Sequence, residues 1–521
     1  MASVFDEKNS TPQASDHSEN VSPPRKVSDA EILEAPVKDG RHREWSQDNR
    51  GTGSDPVVDG GTVQGSPNRL GRDFTKGSVP GNLWVLAWPQ MVEGVLNSVD
   101  QLADIFWAGR VGGFRAIAGL GVAQAYTRLL QTVRQGLDVG MQAMVSRSVG
   151  AQRMDLANHI ALQAFSLTAF FSITIAVIGF FLTEPMLRIL GVSDSVIAQT
   201  ELYMQIQFIG AAAMGFRMSS AATLQSAGDA ITPMKATVLA RIVHLILSPI
   251  LIFGPWGLPS MGIAGAAVAT VIAHSLATAW NFKALFSGTS QLHLTLEGYR
   301  PDPVILWRLL RIGVPASITG AERVISELVL VRLVTPFGDA ALAAYSLTKR
   351  LEFLTGLGSQ GLGRASGVIV GHNLGAGQPE RAKSTVRWAI TFVMSVRGSM
   401  GLLLIAFPAM FMSIFDPDPE FLEVGATWLR IQAVGGLVMG AGMVYQMSFN
   451  VAGDTMAPMI VTLITMWGIE VPGAFLLSRY TAMGQYGIPV AVSVAMIFRI
   501  IIYTGYFVKG RWLRVRVITD S

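Results

Sequence analysis

Glu93, Asn97, Asp100 and Asp104 stand inside a mostly apolar run. Their spacing of i, i+4, i+7 and i+11 puts all four on one face of a helix. Ionisable groups at membrane depth are costly and mark ion or substrate pathways. Carboxyl groups held this close raise one another's proton affinity, and a low dielectric adds to the effect. Such a group can take up and release a proton near neutral pH, or can hold a cation. No basic residue shares the stripe, so it reads as a site rather than as an internally paired strut.

Other polar stripes follow. Gln124, Arg128, Gln131, Gln135, Asp138 and Gln142 repeat at helical period in the next run. A later run carries Glu322, Ser326 and Glu327, and the one after it Lys349, Glu352, Gln360 and Arg364. Arg241, His244 and Ser248 precede Pro249, and Glu470 precedes Pro472. For Arg128, Asp138, Lys349 and Glu352 the simpler expectation is pairing of acids with bases across helices, which would hold the bundle together. His244 reads equally well as a group titrating near neutral pH and as a hydrogen-bonded structural residue. Gln124, Gln135, Arg241, His244, Gln360 and Glu470 are the candidate lining of a substrate cleft. Pro89, Pro249, Pro315 and Pro472 fall inside helical runs, where each removes a backbone hydrogen bond; they are either bending points or static shape. No Ser/His/Asp, HExxH or Cys/His constellation occurs in the runs, and "GAGQPERA" lacks the Lys-Ser/Thr of a phosphate loop. The expectation is therefore not an enzyme.

The elements that position these residues must be membrane helices. Of 521 residues 50% are hydrophobic and only 15% charged, with a mean hydropathy of +0.41. A soluble chain carries about 25% charged residues. The pI of about 9.3 reflects basic loops rather than nucleic-acid binding. The absence of cysteine excludes disulfides and thiolate metal sites. Apolar runs of about 20 residues predict twelve spans, at 82–107, 117–143, 159–182, 201–223, 234–256, 262–286, 306–333, 342–370, 386–412, 424–448, 457–479 and 486–508, with a linker near 287–305. Basic residues in alternate loops stand at roughly fourteen to four, which puts both termini in the cytoplasm. Residues 1–80, rich in Ser, Asp, Gly, Pro and Asn and without an apolar face, read as a disordered cytoplasmic tail. They show no signal-peptide pattern. The tail is dispensable on the simpler reading and partner-binding on the other.

The second half repeats the first about 225 residues later. Gly150-Ala151 returns as Gly375-Ala376, Gly228-Asp229 as Gly453-Asp454, Gln135-Gly136 as Gln360-Gly361, and Pro233 as Pro458. The domains expected are the tail at 1–80, an N-lobe at 81–290 and a C-lobe at 291–521. An even number of helices in each half makes the repeat parallel, with its axis along the membrane normal. Glycines, prolines and loops repeat; ionisable residues do not. The counterpart of Asp104 is Val329 or Leu330.

"DIFWAGRVGGFRAIAGLG" (104–121), "GMQAMVSRSVGAQRMDLA" (140–157), "LQSAGDAITPM" (224–234), "LLRIGVPASI" (309–318), "VIVGHNLGAGQPERAK" (368–383) and "FNVAGDTMAPM" (449–459) resemble the multidrug and toxic compound extrusion (MATE) family. The resemblance runs over about residues 82–510. It implies an all-α polytopic membrane protein, with twelve transmembrane helices in two pseudo-symmetric six-helix lobes. It also implies export of organic compounds driven by inward H⁺ or Na⁺, with no cofactor beyond that coupling ion. Asp104 matches the family's first-helix aspartate, implicated in cation coupling. Glu322 and Glu327 resemble the acidic pair many members carry in the seventh helix. The cation-coupling set expected is Asp104, Asp100, Glu93, Asn97, Glu322 and Glu327. Two departures stand out. His244 and Ser248 occupy places where one bacterial branch has Asn and Asp. The tenth helix offers Gln432, Gln446 and Asn450 where Na⁺-coupled members have an aspartate. Partners expected are an amphipathic small molecule and the lipid bilayer of the cell (inner) membrane, with no nucleic acid and a monomeric chain. The alternative is a flippase for a lipid-linked anionic head group, motivated by Arg217, Arg241, Arg323, Arg332, Arg364 and Arg499, since Arg suits bidentate phosphate binding. A cleft-facing Arg cluster would favour the flippase, and pairing with Glu322, Glu327 or Glu352 would favour the exporter. A third class, a structural membrane protein, would need every polar stripe paired and the seam between lobes dry.

Overall fold

The computed structural model describes residues 72–189, 194–257, 259–414 and 418–517, which are helical apart from short connections. The tail expected over 1–80 lies outside the described residues up to 71. Its end is placed, however, and moves that boundary. Phe74 is fully buried and the first helix begins at Val79.

α1 is a helical run of 72 residues, Val79–Gly150. Laid straight it would be about 108 Å long at 1.5 Å per residue, more than three times a hydrocarbon core of about 30 Å. Yet Asp73, Thr75 and Lys76 before it share one pocket with Ala151 and Gln152 after it. α1 therefore doubles back into two antiparallel arms, which supply the first two spans. α2 (Met154–Ile189) is the third, and α3 (Asp194–Ile209) with α4 (Ala211–Ser226) makes the fourth. α5 (Ile231–Phe253) and α6 (Ile263–Phe286) complete the first lobe. The second lobe holds α7 (Pro303–Val334), α8 (Asp339–Gly375), α9 (Pro379–Ala406), the short α10 (Pro408–Ser413), α11 (Pro419–Val451), α12 (Met456–Thr465), α13 (Val471–Tyr480) and α14 (Gly487–Lys509). The architecture is thus all-α, with twelve spans in two six-helix lobes.

Local chemistry explains several boundaries. Asp302 accepts hydrogen bonds from the backbone N–H groups of Val304 and Ile305 at 2.9 and 3.2 Å, with Pro303 at the first helical position of α7. Asp418 and Pro419 do the same for α11. Both are N-caps followed by a proline whose missing N–H costs nothing there. The ninth span, expected to reach residue 412, ends at Ala406 because Pro408 cannot continue it. The eleventh, expected as one helix, is split by a π-turn, Met466–Glu470, between α12 and α13.

Among the described residues seven spans meet a length-and-hydropathy standard for crossing a bilayer. The arms of α1, the α3–α4 pair, α8 and α11 are absent from that set. α1, α8 and α11 hold most of the polar stripes and the glycines of the seam between the lobes. Side chains such as Phe170, Phe181, Leu402, Ile501 and Val508 are large, apolar and exposed, as lipid-facing positions must be.

The seam is reciprocal at the end where Phe74 and Val517 lie. A Cβ on Gly150 would run into the backbone of His372, and a Cβ on Gly375 into that of Arg147. Each of these residues lies about 225 positions from its counterpart. Nε2 of His372 lies 2.7 Å from the carbonyl oxygen of Ser226, and Nη2 of Arg147 donates to the carbonyl oxygen of Ala452 at 2.7 Å. These are again counterpart contacts, as a two-fold axis between parallel repeats requires. Further along the same seam Gly136 abuts Gly313 and Ser317, and Gly361 abuts Ala87 and Met91. Small residues let the backbones of the two lobes close tightly. The chain ends join in. Phe74 packs edge-on to His372 at 5.7 Å and against Gly228, while Val517 meets Gly453, the counterpart of Gly228.

Candidate functional site

The polar groups sort into those that lock each lobe and those that crown the seam. In the first lobe Arg134 and Asp138 form a buried two-bond ion pair, at 2.8 and 3.2 Å, one turn apart on the second arm of α1. Ser219 of α4 donates to the same carboxylate at 2.7 Å, and Thr168 of α2 reaches Ser219 at 3.0 Å. Asp138 is therefore paired within its own helix and not with Arg128, which is exposed. Sequence reasoning passed over Arg134 because it lies just off the counted stripe.

In the second lobe the lock uses the same three positions with the roles exchanged. Arg134, Ser172 and Gly215 meet in the first lobe; their counterparts Ser359, Arg397 and Gly440 meet in the second. The guanidinium comes from α1 in one case and from α9 in the other. Arg397 donates to the carbonyl oxygen of Gly436 at 2.9 Å and stands 4.0 Å from Glu352. Glu352 also meets Lys349 at 3.4 Å, one turn away on α8, and accepts from Gln432 of α11 at 3.1 Å. A cavity of about 30 Å³, large enough for one water, lies between Thr348, Glu352, Arg397 and Gln432.

Beside this lock lies a second acidic group. Glu322 of α7 is buried, and among the described residues neither of its oxygens has a hydrogen-bond partner. Arg499, Arg323 and Glu470 are within electrostatic reach of it. The π-turn sets Glu470 3.8 Å from Arg499, which donates from Nε to Thr465 at 2.9 Å. Such turns insert one extra residue and recur at functional sites. Arg323 donates to Gln446 at 3.2 Å. Ser326 is buried, and Glu327 is exposed one turn beyond Glu322. Lys349 joins the two groups, since Glu352, Glu327 and Glu470 all act on its ammonium.

On the first-lobe side Glu93 is buried and accepts from Gln225 at 3.3 Å, with Arg217 and, across the seam, Arg364 in electrostatic reach. Asn97 accepts from Arg241 at 2.9 Å. The bases missing from the first stripe are thus supplied by other helices. His244 is buried 3.2 Å from Thr270, and His274, which falls on none of the polar stripes, is buried near Arg217, Arg241 and His244. Glu93 and Glu322 each stand two residues beyond a tight seam contact, Met91–Gly361 and Gly320–Thr132. Asp100 and Asp104 lie in α1, and their side chains fall outside the described residues. Gln135 and Gln360 precede the seam glycines Gly136 and Gly361; Gln135 is exposed, while Gln124 and Gln360 are half-buried.

The sequence model of the MatE family matches residues 89–250 and again 315–476, one match per lobe. The chain is 27% identical over 437 residues to the probable multidrug resistance protein YoeA of Bacillus subtilis (strain 168), covering 83% of this chain and 94% of that protein. It is 24% identical over 439 residues to the probable multidrug resistance protein NorM of Thermotoga maritima, covering 83% and 93%, and 24% identical over 389 residues to an FAD transporter of Shewanella oneidensis, covering 74% and 83%. Among solved structures, an outward-facing multidrug resistance MATE family transporter of the MOP superfamily superposes with a TM-score of 0.79 at 20% identity, over 85% of this chain and 98% of that one. A MOP superfamily transporter from Pyrococcus furiosus, whose binding pocket is described as reversed in polarity, gives 0.78 at 20% identity, over 85% and 98%.

Proposed function

Since the chain belongs to the MatE family of multidrug efflux transporters, we propose that it is a secondary antiporter that exports amphipathic, cationic organic compounds in exchange for H⁺ or Na⁺. The two lobes rock about the seam, and the central site is exposed to each side in turn. The observation that carries this reading is the placement of the buried acids Glu93 and Glu322 two residues from the tight seam contacts Met91–Gly361 and Gly320–Thr132. An acid there is desolvated when the seam closes and reached by water when it opens, so its protonation or cation binding is linked to the lobe motion. With both termini in the cytoplasm, the closed end of the seam is the inner one. Transport replaces enzymatic chemistry throughout; substrate and ion cross, and no bond is made or broken.

The arginines favour the exporter over a flippase. Arg499 stands 3.8 Å from Glu470, and Arg323 is bonded to Gln446 within the same lobe. Arg217 and Arg364 lie within electrostatic reach of Glu93, whose carboxylate offsets one of the two charges. The test is transport in proteoliposomes with imposed proton or sodium gradients and a panel of cationic and anionic fluorescent compounds. Wild-type chain moves the cationic probes; Asp104→Asn inserts normally and loses gradient-driven movement. Undiminished gradient-driven export by Asp104→Asn removes that residue from the coupling set.

A further inference from the structure

We propose that the segments Asp73–Gly77 and Val515–Val517 are two crossed straps that hold the inner end of the seam shut, so that release of either one shifts the lobes toward inward opening. The proposal rests on the antiporter reading for the motion that the straps regulate. The first strap is a built turn rather than a trailing segment. Asp73 accepts from the backbone N–H of Thr75 at 2.9 Å, Gly77 takes a left-handed φ of +74°, and the buried side-chain amide of Asn82 donates to the carbonyl oxygen of Lys76 at 2.8 Å. The turn presents Phe74, which is fully buried. Its ring fills a socket with one wall from each lobe: Gly228, between α4 and α5, and His372, near the end of α8. A Cβ on Gly228 would lie 2.7 Å from the Phe74 ring, so the fit needs glycine there. Arg381 of α9 donates to the carbonyl oxygens of Lys76 and Gly77, both at 2.8 Å. A second-lobe side chain thus grips the backbone that leads into the first lobe.

The other strap repeats the arrangement with the lobes exchanged. Val517 packs on Gly453, between α11 and α12 of the second lobe. The carbonyl oxygen of Val515 accepts from Arg147, near the end of α1, at 2.7 Å. Both valines join the apolar cluster of the first lobe that includes Met144 and Leu224. The two sockets are counterparts: Gly453 lies 225 residues after Gly228, and His372 lies 225 residues after Arg147. Their occupants are not, since an offset of 225 from Phe74 falls at Tyr299 in the linker. Two segments unrelated by the repeat therefore fill equivalent places on either side of the axis. Opening the inner end parts Gly228 from His372 and Gly453 from Arg147, so each strap must let go of one lobe and expose apolar surface to water. That cost falls on the open arrangement alone, and a difference between two states is what moves an equilibrium.

The test reads the seam through one thiol, Ser146→Cys, in the full-length chain reconstituted in lipid. Ser146 is buried and faces Gly371 across the seam. Its maleimide labelling rate is expected to rise at least about 10-fold with Phe74→Ala, and about 3- to 10-fold with Arg381→Ala or Val517→Ser. Phe74→Ala combined with Val517→Ser should multiply the single effects, because the sockets are separate. Phe74→Leu, which still occupies the socket, should recover most of the wild-type rate. Phe208→Ala is the control. It empties a contact with Gly179 inside the first lobe, lowers the melting temperature and should leave labelling unchanged. If Phe74→Ala folds poorly, Arg381→Ala decides, since it cuts two hydrogen bonds without opening a cavity in the core. A wild-type labelling rate in folded Phe74→Ala and Arg381→Ala proteins overturns the proposal, and so does an equal rise in Phe208→Ala. If no gradient drives any dye through wild type in proteoliposomes, the antiporter reading fails, while the labelling comparison still decides whether the straps hold the seam.

Discussion

Replacing Gly150 with alanine tests the seam directly. A Cβ at that position would lie 2.6 Å from Cα of His372 and closer still to its carbonyl oxygen, where ordinary contact begins at 3.4 Å. The lobes must therefore part locally by at least about 0.8 Å, the difference between those two distances. Overpacking of this kind costs about 1–3 kcal/mol. The clash exists only while the seam is closed, so the whole cost falls on one side of the conformational equilibrium and shifts it by about 5- to 150-fold toward opening. The helix preference of alanine over glycine, about 1 kcal/mol, acts on both states alike and leaves the balance untouched. The chain contains no cysteine, so Ser146→Cys introduces a single thiol. Ser146 is buried and faces Gly371 across the seam. Its maleimide labelling rate under native conditions should rise about 5- to 150-fold when Gly150→Ala is added. Gly375→Ala, the reciprocal change, should do the same. An unchanged labelling rate in a folded Gly150→Ala protein would refute the reasoning.

Other outcomes follow from the lobe interiors and the turns. Asp138→Ala strands the buried guanidinium of Arg134 and should cost about 3–5 kcal/mol in thermal or denaturant unfolding, whereas Arg134→Met with Asp138→Leu should recover most of that loss; equal melting of Asp138→Ala and wild type would mean the pair bears no structural role. Gln152 holds a left-handed φ of +60°, and its counterpart in the second half is Gly377 at +69°. Gln152→Gly should therefore stabilise the protein by about 0.5–1 kcal/mol, the net of relieved backbone strain and added chain entropy, visible as a higher melting temperature; a lower one would show that the side chain holds the turn. Asp104→Asn, already described, should separate insertion from gradient-driven export.

The scaffold was legible because it is written in residues whose meaning is local. Apolar runs fix the spans, and Gly150 returns as Gly375 and Pro89 as Pro315, at offsets of 225 and 226, because the seam needs small residues and the same entry to the first helix of each lobe. Asp302 and Asp418 start α7 and α11 by their side-chain chemistry, ahead of residues 306 and 424, where the apolar pattern alone begins those spans. The polar pairings were less legible, since a pair is a property of two helices. Arg134 and Arg397 look unrelated in a half-to-half comparison, because the guanidinium has moved from one helix of the contact to the other. Only when Gly215 and Gly440 are seen at the same place in each lobe does the exchange become visible. The π-turn before Val471 was also hidden. Glu470 and Pro472 signal a disturbed helix, but one inserted residue leaves the apolar pattern on either side intact.

The reciprocal contacts at the closed end bear on leakage. Gly150 against His372 and Gly375 against Arg147 stand on either side of one axis, as two equal latches on a double door. Releasing only one would tilt the lobes, strain the other and open a narrow passage for water and ions while the central site was still occupied. Because the latches are equivalent and share a rigid frame, the half-released arrangement gains the openness of neither end and keeps the strain of both. On the proposed antiport cycle the door would swing as a unit, and the symmetry of its seam would guard against slippage, in which the ion gradient runs down without moving cargo.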